Sequence, residues 1–278
     1  MIRAFKHLIR RCWLYGFYQA PPVNIYHCCV QKTASQWVRA ILSDKRTYKY
    51  SGLSSYSYQS TLPGGYDPRS ITQRTFKVAF PEGTIISPIY IDFHNYMTLP
   101  KPRHHKTFFV MRDPRDIVIS WYFSARYSHP SMGRLTQVRD LLNKISINEG
   151  ILYSIGFLHD FGLFAALRSW IEAPRKDPDM LLLRYEDITA SDNLEIFKEL
   201  FSHCNIPMPD RMLSQLLHDY NFERLSGRKR GEEDRFAYYR KGVPGEWRKY
   251  VDEPIKEKLK KLTNDLVVRL EYETDPNW

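Results

Sequence analysis

The sequence predicts an α/β fold: one three-layer domain, a central parallel sheet with helices on both faces. Three observations carry this. Apolar runs at residues 23–30, 107–111 and 180–185 read as strands buried on both faces. Each leads into a stretch with helix-start chemistry or helical spacing, the alternation that builds parallel sheets. The chain has 278 residues, 43% of them hydrophobic, enough for one sizeable core. Neither a repeat nor a linker divides it, so residues 1–278 are read as a single domain.

At the start of the chain, residues 1–22 are basic and aromatic, with Arg3, Lys6, Arg10 and Arg11 among Phe5, Ile9, Trp13 and Leu14, and end at Pro21–Pro22. They read as a helix packed on the domain, with peripheral membrane contact as the alternative. Strand 23–30 enters a polar loop, and a helix spans 35–43. Residues 44–74 are rich in turn formers (SGLSSYSYQS, PGGYDP) and read as a long irregular loop, an acceptor-site lid. Its tyrosines are Tyr50, Tyr56, Tyr58 and Tyr66. Strand and turn come next at 84–93, then the buried strand at 107–111, and helices at 135–142 and 151–172. After strand 180–185 come helices at 194–203 and 211–220. The charge run within 222–236 reads as a loop, and 254–269 as a closing amphipathic helix.

The chemistry concentrates in two stretches. Residues 28–37 read CCVQKTASQW: an apolar strand, a short polar loop holding Lys32, then a helix start. The first N–H groups of a helix have no internal partner and its dipole favours negative charge there, so this arrangement cradles an anion. Lys32 adds a charge; Thr33 and Ser35 add hydroxyls. Residues 110–123 read VMRDPRDIVISWYF. Asp113 is a good N-cap and Pro114 suits the first helical position, with Ile117, Val118 and Trp121 facing a core. Arg112 and Ser120 are placed to meet one anion beside that helix. A strand-end arginine and a serine bonded to its own turn are the plainer reading. Arg115 and Asp116 read as a solvated pair.

QKTASQW resembles the 5′-phosphosulfate loop of sulfotransferases that use 3′-phosphoadenosine-5′-phosphosulfate (PAPS), a P-loop-like element. RDPRDIVIS resembles their 3′-phosphate segment, and RKGVPGEW at 240–247 their RKGxxGDW loop, with Glu246 where Asp is usual. The three motifs stand in the family's order, and the resemblance covers roughly residues 23–250. It implies that Lys32, Thr33, Ala34, Ser35 and Gln36 hold the phosphosulfate, with Lys32 neutralising charge on the leaving group. It also implies that Arg112, Ser120, Arg240, Lys241 and Gly242 hold the 3′-phosphate, and that Trp37, Tyr185 (in RYED) and Phe222 hold adenine. By themselves these three aromatics read equally as core. The family often has Gly where Ala34 stands and threonines where Ser35 and Gln36 stand. The implied product nucleotide is adenosine 3′,5′-bisphosphate (PAP).

The resemblance leaves the base that takes the acceptor's proton unassigned. The family's KTHxP histidine falls in a slot that reads SPIY here, at 87–90. The nearest candidates are His94 as base and Asp92 as its orienting partner or as the base itself. On an extended segment they share a face with Tyr90. His129 and Glu82 are further options.

Composition narrows the rest. Net charge is +10, which fits anionic ligands, yet no nucleic-acid recognition motif accompanies it. The four cysteines form no CxxC pair, and no apolar run approaches ~18 residues, so a cytoplasmic setting without a transmembrane span is expected. His104 and His105 lack further ligands at metal spacing, and no metal is expected. The acceptor, whether small molecule, glycan or lipid, and the oligomeric state stay open. Two rival functions are a P-loop kinase or NTPase, which requires an absent GxxxxGK[ST], and a non-catalytic nucleotide or polyanion binder on the same fold.

Overall fold

The structure, a computed structural model, describes residues 24–130, 133–177 and 180–278. The helix expected over residues 1–22 lies outside the described residues. Five parallel strands form one sheet in the order β2-β3-β1-β4-β5: β1 (Asn24–Cys29), β2 (Ser54–Tyr56), β3 (Thr84–Tyr90), β4 (His105–Met111) and β5 (Met180–Arg184). The helices used below are α1 (Ser35–Leu42), α2 (Lys45–Ser51), α3 (Phe93–Thr98), α4 (Pro114–Phe123) and α5 (Arg134–Leu142). They continue with α6 (Ile147–Asp160), α7 (Leu163–Trp170), α8 (Leu194–His203), α9 (Asp210–Asp219) and α10 (Glu253–Thr263).

Strand side chains alternate between faces, and the core divides accordingly. Tyr26 and Cys28 of β1 with Phe109 and Met111 of β4 face α4, α6, α7 and α10. Ile25 of β1 with Phe108 and Val110 of β4 face α1, α8 and α9. Both faces of the central strands are therefore apolar, which is why their sequence runs lack alternation.

Three expectations are corrected. Residues 44–74 are not one irregular loop: Asp44 caps α2 by accepting from Arg46 N, β2 adds an edge strand, and short 3-10 turns follow. Tyr58 is buried against Phe76 and Phe80 rather than poised over a site. The long helix expected over 151–172 is two, α6 and α7, meeting at a 58° bend. Gly162 makes that bend with φ 78°, and a Cβ there would stand 2.8 Å from the Thr72 hydroxyl. The start of α6 was readable: Ser146 and Glu149 form a capping box. Finally, the chain after β3 does not stay extended, because Asp92 caps α3.

No single helix among the described residues is long and apolar enough to cross a membrane.

Candidate active site at the carboxyl ends of the strands

The loop after β1 is built to receive an anion. Lys32 and Ala34 both adopt left-handed backbone, φ 66° and 59°. That curls residues 31–35 so that α1 begins at Ser35. Thr33 is fully buried and spends its hydroxyl on the Val30 carbonyl at 2.9 Å, so it stabilises the loop from behind. Its expected place as a hydroxyl donor to ligand is thereby corrected; only its neighbours line the cavity. The Ser35 hydroxyl and Gln36 amide both meet the Tyr90 hydroxyl, at 2.8 and 3.2 Å.

Arg112, at the end of β4, is nearly buried and donates through Nη1 to the Lys32 carbonyl at 2.7 Å. Its guanidinium lies 3.8 Å over the Tyr185 ring, which follows β5. Among the described residues Arg112 Nε is buried without a partner, although a buried donor normally has one. Burial together with the charges of Arg112 and Arg240 holds the Lys32 ammonium down to about 7. Cations pressed together in this way, with an unsatisfied donor among them, are arranged for a polyanion.

The 240–247 loop closes the same site. Arg240 and Lys241 pair with Glu246, and Arg240 also with Glu233 at 2.6 Å. Gly242 has φ 70°, and a Cβ there would fall 2.4 Å from the Phe222 ring, so glycine is required for the loop to press against that ring. The loop is fastened by Asp116 of α4, whose carboxylate accepts from Gly245 N at 2.5 Å and Trp247 N at 3.0 Å. The solvated pair expected of Arg115 and Asp116 is corrected here. Both are buried, and the Arg115 guanidinium lies over the rings of both Trp247 and Trp278 while pairing with Asp113 and Glu273.

These pieces line one cavity of about 780 Å³. Its lining includes Lys32, Ala34, Ser35, Gln36, Trp37, Arg112, Ser120, Tyr185, Phe222, Arg240, Lys241 and Gly242. Tyr66, Tyr90, Trp121, Phe157, Phe161 and Leu135 line it too.

The sulfotransferase-domain family model matches residues 28–271. The chain belongs to the sulfotransferase family. A flavonol 3-sulfotransferase of Flaveria bidentis is 21% identical over 269 residues, 89% of this chain and 83% of that protein. Cytosolic sulfotransferase 17 of Arabidopsis thaliana is 21% identical over 283 residues, covering 92% of this chain and 74% of its own. Two crystal structures share the fold. A mouse sulfotransferase complexed with PAP has TM-score 0.56 at 15% identity, covering 93% of this chain and 89% of that one. A retinol dehydratase in a complex with retinol and PAP has TM-score 0.58 at 19% identity, covering 94% and 86%.

In this sulfotransferase the two proposed base residues do not reach the cavity. Asp92 is buried as the cap of α3, accepting from Asn95 N at 3.0 Å and from the Asn95 side chain at 2.5 Å. His94 sits in the first turn of α3 and is exposed. The helix start breaks the period of two that would have put them on one face with Tyr90, which alone of the three lines the cavity. Glu82 is exposed in the turn before β3. His129 does line the cavity. Arg230 is a further cavity residue, its Nε donating to the Gly242 carbonyl at 2.8 Å. Nothing in the charge run RKRGEEDR distinguishes it from its neighbours. Among the described residues no cluster of His, Cys, Asp and Glu suits a metal ion.

Proposed function

We propose that this PAPS-dependent sulfotransferase transfers the sulfuryl group to a hydroxyl of a small, flat, largely apolar acceptor such as a phenol. PAPS supplies the sulfuryl group; the chain's residues hold and polarise. Lys32, with the backbone N–H groups of the curled loop and the Ser35 and Gln36 side chains, binds the 5′-phosphosulfate. Lys32 also neutralises charge that grows on the leaving oxygen. Arg112 and Ser120, with Arg240, Lys241 and Gly242, bind the 3′-phosphate, and Trp37, Tyr185 and Phe222 embrace adenine.

The observation that carries this reading is the convergence of Lys32, Arg112 and Arg240 on one cavity, close enough to depress the lysine. The acceptor class rests on Trp121, Phe157, Phe161 and Leu135, apolar and aromatic side chains that line the same cavity. The retinol dehydratase of the same fold is complexed with retinol, an apolar molecule, which supports an apolar acceptor here. Cys28, Cys29 and Cys204 are buried free thiols, in keeping with a reducing, cytoplasmic setting.

The test is calorimetric binding of PAP against 5′-AMP, followed by labelled PAPS with a panel of phenols, sugars and lipids. PAP should bind orders of magnitude more tightly, since charge-assisted hydrogen bonds contribute ~1.5–3 kcal/mol each. Equal affinity removes the 3′-phosphate site; labelling of sugars alone removes the phenolic acceptor.

A further inference from the structure

We propose that His129 is the base that takes the proton from the acceptor hydroxyl, a reading that rests on the sulfuryl transfer described above. After α4 the chain widens into a π turn, Ser124–Ser128, and His129 N donates to Ser124 O at 2.7 Å. A π turn inserts a residue and re-aims the chain beyond it, a device common at functional sites. Here it delivers Ser128 and His129 to the cavity wall beside Trp121 and Ala125. Arg139 of α5 pins the turn, donating to the Ala125 carbonyl at 3.0 Å and to the His129 carbonyl.

The ring's own contacts fix its useful nitrogen. Nδ1 lies 2.9 Å from the Pro130 carbonyl oxygen, which can only accept. The proton of the neutral ring therefore sits on Nδ1, and Nε2 keeps its lone pair. The charges that face His129 are Lys32, from the loop after β1, and Arg139, from α5; both are positive. Burial, then these charges, outweigh the Pro130 contact and lower the pKa of the imidazole, so it is neutral at pH 7.

Three other cavity groups, Tyr90, Asp67 and His218, are occupied or disfavoured. The Tyr90 hydroxyl is engaged by Ser35 and Gln36, and burial pushes its pKa up. Asp67 is tied to Arg69 at 2.8 Å and faces Arg74. His218 accepts from Arg224 at 3.2 and 3.0 Å. In the step, the acceptor oxygen bonds to sulfur while the bond from sulfur to the 5′-phosphate oxygen breaks, its electron pair leaving with the phosphate. The hydroxyl proton passes to His129 Nε2, and the imidazolium afterwards returns it to water.

The experiment compares wild type and His129→Ala on phenol and on 4-nitrophenol, which ionises near neutrality and needs little help. General-base assistance amounts to about 10²–10⁴-fold. His129→Ala should lose that much on phenol, far less on 4-nitrophenol, and keep PAP affinity within about twofold. Its acidic limb should vanish, and added imidazole should restore part of the rate. Equal losses on both phenols, or none, overturn the proposal. Histidine 15N spectra of the wild-type protein test it without turnover. The expected signals are an Nδ1-protonated tautomer and a midpoint below 6.5; an Nε2-protonated ring, or a higher midpoint, overturns it. Absence of PAP binding would sink the donor reading instead, and those spectra would still judge His129.

Discussion

Glu246 holds Arg240 and Lys241 at once: one carboxylate oxygen accepts from Lys241 Nζ at 2.7 Å and the other from the Arg240 guanidinium. The carboxylate is buried, so both cations are oriented in a poorly hydrated place. Two roles are conceivable for it, rival to the 3′-phosphate or organiser of the groups that bind it. The second fits better, because Glu246 belongs to the loop that Asp116 fastens, and a mere rival would need no anchoring. Glu246→Ala is therefore expected to weaken PAP binding about tenfold, a cost of ~1.4 kcal/mol, although the change adds net positive charge. Calorimetry decides; tighter binding would make Glu246 a competitor.

Lys32 titrates near physiological pH only because it is buried among cations. Its pKa, about 7, should rise toward the ordinary lysine value when a polyanion enters. PAP binding a little above pH 7 should then take up a fraction of a proton at this site, read as a dependence of binding heat on buffer ionisation enthalpy. In the free enzyme the same depression sets the sign of the stability effect. Its unfolded chain binds more protons than the folded one between about 7 and the usual lysine value, so Lys32 costs stability below that window and less as pH rises through it. Lys32→Ala should abolish the uptake.

The same lysine is expected to act on charge that appears only in the transition state. Lys32→Ala should lower kcat by about 10²–10³-fold, the range for losing one donor to a developing oxyanion. PAP affinity should change much less. Normal turnover with a raised PAPS requirement would make Lys32 a ground-state anchor.

How far the sequence discloses this fold and site depends on the range of the interactions. The three motifs are legible because each is local: strand, loop and helix start are adjacent in the chain, and Asp113–Pro114 announces α4 by itself. The buried strands are legible because both faces are apolar. Arg115 and Asp116 misled because their partners, Trp247, Gly245 and Glu273, lie more than a hundred residues away. Residues 90–94 misled for a local reason. Asp92 with Asn95 is a helix-start signature as well as a loop signature, and the helix reading wins. His129 was visible as a residue, but the π turn that aims it was not.

Ala34 occupies a position whose φ of 59° suits glycine. A left-handed conformation costs an L-residue roughly 1–2 kcal/mol. Ala34→Gly should thus raise the unfolding free energy by about 1 kcal/mol, offset in part by the freer unfolded chain. A denaturant titration with unchanged slope would show it. A loss of stability would mean that the Ala34 methyl group packs well enough to outweigh its backbone.

Asp116 links α4, which carries Ser120, to the loop that carries Arg240–Gly242. Its two carboxylate oxygens accept from two backbone N–H groups, Gly245 and Trp247. Asn has a single carbonyl oxygen, so Asp116→Asn turns an NH₂ toward one of those donors and leaves it unsatisfied. Hydrogen bonds to a charged group contribute ~1.5–3 kcal/mol, and a stability loss of about 2 kcal/mol is expected. The effect on ligands should be selective. If the loop serves the 3′-phosphate, PAP affinity should fall clearly while 5′-AMP affinity stays nearly constant, because 5′-AMP asks nothing of Arg240 or Lys241. Calorimetry with both nucleotides on the variant makes the comparison. Parallel losses would mean that Asp116 supports the whole cavity through α4 rather than the 240–247 loop.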